Sequence, residues 1–284
     1  MKKLIIVAFA LFATLGHAQK LENALLWKIS GNGLAKPSYL FGTIHITCDA
    51  TLDKDVKAAL DATTQLYLEL DMDDPNLQAE MMGGMMMKDG KKMSTLANEA
   101  DLATVDVFLQ KNLGMSVKMV DAFKPALVST FLYAKMLDCP MQSFEGELMK
   151  ASAEQKEQVF GLEEVKDQLA LFDAIPYDKQ MQELVKTAKG NMVKDKAEFT
   201  EMMEVYKSKD ITAMLAFMEK SENKMYAEFK DVMLDNRNKN WIPKIEAVAK
   251  QTPTFFGVGA AHLAGDNGVI KLLRKKGYKV EAIK

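Results

Sequence analysis

Two four-residue frames near opposite ends of the chain constrain its fold more than anything else in it. Gly42-Thr43-Ile44-His45 follows the apolar run Ser38-Tyr39-Leu40-Phe41, and Gly259-Ala260-Ala261-His262 follows Thr254-Phe255-Phe256. An apolar, aromatic-containing run that closes on Gly-x-x-His reads as a buried strand handing an imidazole to the loop beyond it. Both ends of the chain must then contribute strands to one core if the two imidazoles are to converge. The remaining histidine, His17, falls in a leader segment. Histidine is the commonest metal ligand and the usual proton shuttle near neutral pH, so this pair is the lead to function.

The N-terminus has the form of that leader. Lys2 and Lys3 precede an apolar run from Leu4 to Leu15, and Gly16-His17-Ala18 supplies a small-x-small site for cleavage after Ala18. The run is short of the roughly 20 apolar residues needed to span a bilayer. The expectation is a periplasmic or secreted protein with no membrane span in the mature chain. The whole chain carries a net charge of −2, and no basic patch stands out, which argues against a nucleic-acid partner. Export also bears on Cys48 and Cys139, which can form a disulfide in an oxidising compartment and so brace the loop after His45. A thiolate ligand or nucleophile beside His45 is the rival reading; a bridge, or two inert buried thiols, is preferred.

Between the frames, Leu25 to Ser30 and Ser38 to Ile44 read as a hairpin about the turn Gly31-Asn32-Gly33. Leu52 to Ala62 has helical periodicity, and Gln65 to Asp71 reads as a strand ending in carboxylates. Residues 72–93 are rich in methionine around Gly83-Gly84, which suits a mobile lid or loosely specified helix, with a soft-metal site as the sharper alternative. Ser94 to Ser152 is helical in pattern, including one helix from Ala126 to Leu137. Gln158 to Leu162 reads as a strand with Glu163 at its exit. Gln168 to Ala174 is helical, and a long charged helical stretch runs from Asp178 to Lys250. A strand from Thr254 to Gly259, a helix capped by Asp266 and Asn267, and a last strand from Tyr278 to Ile283 complete the chain. The fold class is α/β: a mixed sheet core formed by both chain ends with a helical middle inserted, the paired frames hinting at a two-repeat architecture. Residues 1–18 are assigned to the leader and 19–284 to one α/β domain, with 72–152 and 176–250 as largely helical insertions.

Four potential ligands stand at strand exits, where side chains of α/β folds converge: His45, Glu69, Glu163 and His262. Two imidazoles with carboxylates suit a divalent metal, Mn, Co, Zn or Fe, able to lower the pKa of bound water and polarise a carbonyl. Glu69 or Glu163 could serve as the general base. Arg237, one of the chain's two arginines, presents a fixed fork of donors for a carboxylate or an oxyanion, and Asn238 follows it. Each residue also has a plain structural reading: a histidine packed in a core, a glutamate marking the solvent end of a strand, an arginine on a charged helix.

Trp27-Lys28-Ile29-Ser30 with Ser38 to His45, then Leu68-Glu69-Leu70-Asp71, Gly161-Leu162-Glu163, Arg237-Asn238 and Val258 to Leu263, resemble in order the pattern of the TraB/GumN family, which includes the Tiki-type proteases. That resemblance implies an α/β fold akin to haem-binding ChaN-like and erythromycin-esterase-like proteins. It also implies a divalent-metal-dependent peptidase, with Mn or Co favoured, built on the two Gly-x-x-His motifs. It puts His45 and His262 at the motif histidines and Glu69, Glu163, Arg237 and Asn238 at the family's polar positions, without dividing metal ligands from substrate-binding groups; the expectation adopted is His45, His262 and Glu69 as metal ligands and Glu163, Arg237 and Asn238 as catalytic residues. One departure is Phe144-Glu145-Gly146-Glu147, where relatives carry Gly-hydrophobic-Asp, which puts the role of that acidic position in doubt. The leading expectation is an exported metal-dependent hydrolase acting on a peptide or small-molecule substrate. Its rivals are a non-catalytic haem-, metal- or ligand-binding protein and an esterase-like hydrolase.

Overall fold

A computed structural model describes residues 21–284; the leader assigned to residues 1–18 lies outside them. Six strands form one mixed sheet: β1 (Leu26–Ser30), β2 (Ser38–Thr43), β3 (Gln65–Leu68), β4 (Gln158–Gly161), β5 (Phe255–Gly259) and β6 (Lys279–Ile283), in the spatial order β4-β3-β5-β2-β1-β6. β4, β3, β5 and β2 run parallel, while β1 is antiparallel to both β2 and β6. β5, the fifth strand in sequence, thus occupies the centre of the parallel half. Its aromatic run fits that place: Phe255 and Phe256 are fully buried, as are Trp27, Leu40 and Leu66 on neighbouring strands. A strand covered on both faces must be apolar throughout.

Local chemistry sets several boundaries. The β1–β2 hairpin turns through Gly31, Asn32 and Gly33, all at positive φ, where glycine costs least and asparagine is better tolerated than most residues. Asp53 caps helix Lys54–Asp61 by accepting from the Asp55 and Val56 amides. Two local expectations fail. The helix foreseen over Ala126 to Leu137 is two short ones, Pro125–Thr130 and Tyr133–Met136, broken where Phe131 and Leu132 form a tight turn. Asp266 and Asn267 do not cap the last helix, Val269–Lys275, whose cap is Gly268. Asn267 is instead turned inward, donating to Asp235 and accepting from Asn238, and Gly268 sits so close to Ala264 that a side chain there would collide with backbone.

The inserted helices build a second apolar core. Met93, Val105, Leu109, Met181 and Leu184 are at its centre, all fully buried. The methionine-rich stretch is split in its packing. Met85, Met87 and Met93 are buried, whereas Met82 and Met86 face solvent, so methionine serves there chiefly as adaptable filler. Among the described residues no helix is long and apolar enough to cross a membrane.

Candidate functional site

Because β4, β3, β5 and β2 are parallel, their C-terminal ends share one edge, and the four predicted exits meet there. The β3–β4 ladder continues past the strands, Leu162 N donating to Leu68 O at 2.8 Å and Glu163 N to Glu69 O at 3.0 Å, which sets the two glutamates side by side. Gly259 ends β5 between them and β2. Its amide donates to Glu69 Oε1 at 2.8 Å. A β-carbon built on Gly259 would lie 3.3 Å from Glu69 Oε1, 3.6 Å from His262 Cδ2 and 3.7 Å from His45 Nε2. Both Gly-x-x-His histidines and Glu69 therefore surround a hollow that glycine keeps open.

Arg237 organises one side of this hollow. A π-turn, Asp231–Asp235, runs into helix Asn236–Gln251, and such turns mark places where a helix is re-aimed. The guanidinium bonds both oxygens of Glu163 through Nε at 3.1 Å, and through Nη2 reaches Glu163 Oε1 and Glu69 Oε2 at 2.5 Å each. Its Nη1 donates to Met233 O at 3.1 Å and meets His262 Nε2 at 3.0 Å. Arginine only donates, so Nε2 of His262 is the acceptor, and Nδ1 carries the proton given to Asn238 Oδ1 at 2.6 Å. Trp241 stacks on the same imidazole with ring centroids 4.5 Å apart and donates to Glu163 Oε2 at 3.1 Å. Burial disfavours the charged imidazole and the adjacent Arg237 cation adds to this, outweighing Glu69, so His262 is pushed down from 6.5 to about 3. Burial also opposes ionisation of Glu69, yet Arg237 chiefly, with the Gly259 amide, holds its carboxyl well below the usual range.

The other histidine lives in a different setting. His45 Nδ1 contacts Glu145 Oε1 at 2.8 Å, and the same oxygen accepts from Thr43 Oγ1 at 2.6 Å. Enclosure by protein is the largest single influence and works against protonation, although 61% of the side chain is exposed. Contact with Glu145, aided by Glu69, raises His45 from 6.5 to about 9. Glu145 is brought there by lacing between two loops. Cys48 and Cys139 are disulfide-bonded, with Cα atoms 5.7 Å apart, so the thiolate-ligand alternative does not hold. Thr47 and Gln142 exchange backbone hydrogen bonds at 2.9 and 2.8 Å. Ser143 then caps helix Phe144–Gln155 and sends Glu145 toward His45.

Of the residues singled out by sequence, His45, Glu69, Glu163, Arg237 and His262 come together in this cluster. Asn238 is 1% exposed and reaches only His262 and backbone carbonyls, so it orients the imidazole. Glu145, Thr43, Trp241 and Gln168, which donates to Glu69 Oε2 at 3.2 Å, join them without having been foreseen. Thr43 lies inside the first Gly-x-x-His frame, and that proximity was the available signal. The other three are separated from their partners by about a hundred residues or lie on the arginine helix, where periodicity only marks them as helical.

Two imidazoles and a carboxylate are donor types that divalent metals accept. Nε2 of each histidine is the nitrogen left after Nδ1 is engaged by Glu145 or Asn238, the usual way a protein fixes a ligating imidazole. His262 Nε2 and Glu69 Oε1 are 3.8 Å apart, a span that one cation at metal–ligand distances of about 2.1 Å can bridge. Among the described residues, however, no three histidine, cysteine, aspartate or glutamate side chains are placed so that they could hold a metal ion together. Arg237 Nη1 holds the nitrogen that a cation at His262 would need.

Metalloprotease TIKI2 from Danio rerio is 30% identical over 82 residues, which are 28% of this chain and 16% of that protein. No solved structure matches the chain significantly. A sequence model of the TraB/PrgY/gumN family matches residues 25–282, from β1 to β6, and the chain belongs to that family.

Proposed function

We propose that the protein is an exported, divalent-metal-dependent hydrolase whose substrates are peptides. The observation that carries this reading is the meeting of His45, Glu69 and His262 around the hollow at Gly259. The likeness of one segment to a metalloprotease supports the choice of peptides. His45 Nε2, Glu69 Oε1 and His262 Nε2 would hold the cation, with Mn or Co favoured and Zn or Fe also compatible with the donors. Such a cation supplies a polarised carbonyl and a bound water with its pKa lowered to about 7.

The chain's own residues do the rest. Glu145 and Asn238 fix the two imidazoles, so that each presents Nε2. Arg237, once released from His262 Nε2, presents Nη1 to the oxyanion that develops on the substrate carbonyl, while Glu163 and Trp241 hold the guanidinium in place. Glu163 is engaged at both oxygens, so in this arrangement it positions Arg237.

The test is calorimetric titration of Mn(II) and Co(II) into the mature protein and into His45→Ala and His262→Ala, followed by a peptide-library digest with the loaded protein. Stoichiometric binding lost in both variants, with peptide cleavage, is the expected result. Unchanged binding in the variants would overturn the site. Metal binding without cleavage, accompanied by a Soret band on adding haem, would favour a binding protein instead; ester cleavage alone would favour an esterase.

A further inference from the structure

A cleft opens on the sheet edge where the first histidine frame ends. Leu26 is level with Phe41 on one side and Ile283 on the other, so the start of β1 and the ends of β2 and β6 are neighbours. Above them is a cleft of about 640 Å³, within the size range of ligand pockets. Its floor is apolar, with Leu25, Phe41 and Phe144 from the sheet core, and its far wall is Phe199 and Met203 of helix Val193–Lys207. It therefore sits between the molecule's two apolar cores.

Four lining residues tie this cleft to the first histidine frame. Thr47 and Cys48, two and three residues after His45, form the near wall. Phe144 precedes Glu145, the partner of His45. Tyr206, also in the lining, donates its hydroxyl to the carbonyl of Gly42 at 2.9 Å. A chain lying across the hollow at Gly259 and continuing past His45 would place its next side chains in the cleft.

The rim discriminates by charge. Three of its lysines are neutralised locally: Lys196 by Asp138 at 2.7 Å, Lys207 by Glu204 at 2.7 Å and Lys209 by Asp53 at 3.6 Å. Asp49, next after Cys48, remains on the near wall, and Asp55 and Lys284, the latter after β6, also line the cleft. The near wall is thus negative over an apolar floor.

We infer that this cleft is the specificity pocket of the proposed peptidase, and that it takes a peptide with a bulky apolar residue followed by a basic one. The inference rests on the hydrolase reading and adds the side chains it selects. Aromatic burial supplies the affinity, and the lining acids Asp49 and Asp55 supply the preference for lysine or arginine.

Binding is measured separately from turnover, by calorimetry on the His45→Ala protein. The probe is the amide of acetyl-Ala-Phe-Lys-Ala, compared with its Phe→Ala and Lys→Glu forms. The parent peptide is expected to bind about tenfold or more tighter than the Phe→Ala form, and Met203→Trp, which fills the cleft, to abolish that difference. Asp49→Asn combined with Asp55→Asn, both on the rim, is expected to remove the preference for lysine over glutamate. That second variant keeps the inference testable if the tryptophan variant does not fold. No binding, or binding indifferent to both variants, would overturn the inference. Binding that maps to the cleft with no cleavage by the Mn(II)-loaded wild type would leave the pocket standing and defeat the hydrolase. Cleavage indifferent to Phe→Ala and to Met203→Trp would do the reverse.

Discussion

The two Gly-x-x-His frames are alike in sequence and opposite in environment. His45 is mostly exposed, leans on a carboxylate and is raised to about 9. His262 is 4% exposed, is pinned by Asn238 and Arg237 and is lowered to about 3. One imidazole is a cation facing solvent at neutral pH; the other is a neutral acceptor in the wall of the fold. The difference teaches that the motif fixes only where a strand ends. The charge of its histidine is decided by the long-range partner each frame acquires, Glu145 in one case and Arg237 in the other.

The comparison breaks most severely at Arg237. Arg237→Ala strands Glu69 and Glu163 without their cation in a site only about a tenth exposed, and urea unfolding should show a loss of about 3–5 kcal/mol. Cys48→Ser with Cys139→Ser removes a bridge spanning 91 residues on the His45 side, and the same measurement should show a loss of about 2–4 kcal/mol. It should also loosen the approach of Glu145 and leave the His262 side intact. Asn238→Leu leaves the Nδ1 proton of His262 unpaired, with an expected loss of about 1–3 kcal/mol. His45→Ala, at an exposed position, should change stability by less than about 1 kcal/mol while abolishing metal binding.

The finest test is titration of the metal-free protein followed by NMR of the two imidazoles. His45 should titrate well above 6.5 and fall back toward it in Glu145→Gln, whereas His262 should stay neutral from pH 8 to 5. The signs of the stability effects differ accordingly. The raised pKa of His45 stabilises the fold fully below pH 6.5, and this is lost as pH climbs through 9. The lowered pKa of His262 stabilises above pH 6.5 and is lost as pH falls toward 3. Glu69, also held down, adds to the acid loss below its ordinary range. Acid unfolding that is insensitive to Asn238→Leu would contradict the assignment of His262.

Strands were the most legible part of the sequence, because apolar runs broken by glycine leave few alternatives. β2 and β5 were readable down to the histidines that follow them, and the parallel order then brings their exits together. The helical interior was legible as helix but not in its breaks: the turn at Phe131 and the inward Asn267 depend on tertiary contacts that periodicity does not encode. Glu145 was the clearest omission. Its sequence context departs from the pattern of relatives, and its role arises from the bridge, the Thr47–Gln142 pairing and the Ser143 cap acting together over about a hundred residues.

The position of β5 has a consequence for how the molecule comes into being. Its seat between β3 and β2 stays vacant until residues 255–259 arrive, although both flanking strands are complete by residue 68. Pairings this distant in sequence form slowly, since loop closure must precede the contacts that reward it. During synthesis the sheet is therefore held open: His45 can meet Glu145 halfway along the chain, but Glu69 meets neither Arg237 nor the Gly259 amide until almost the whole polypeptide has been made. Any chemistry at this edge is silent in the nascent chain and switches on only with the finished fold.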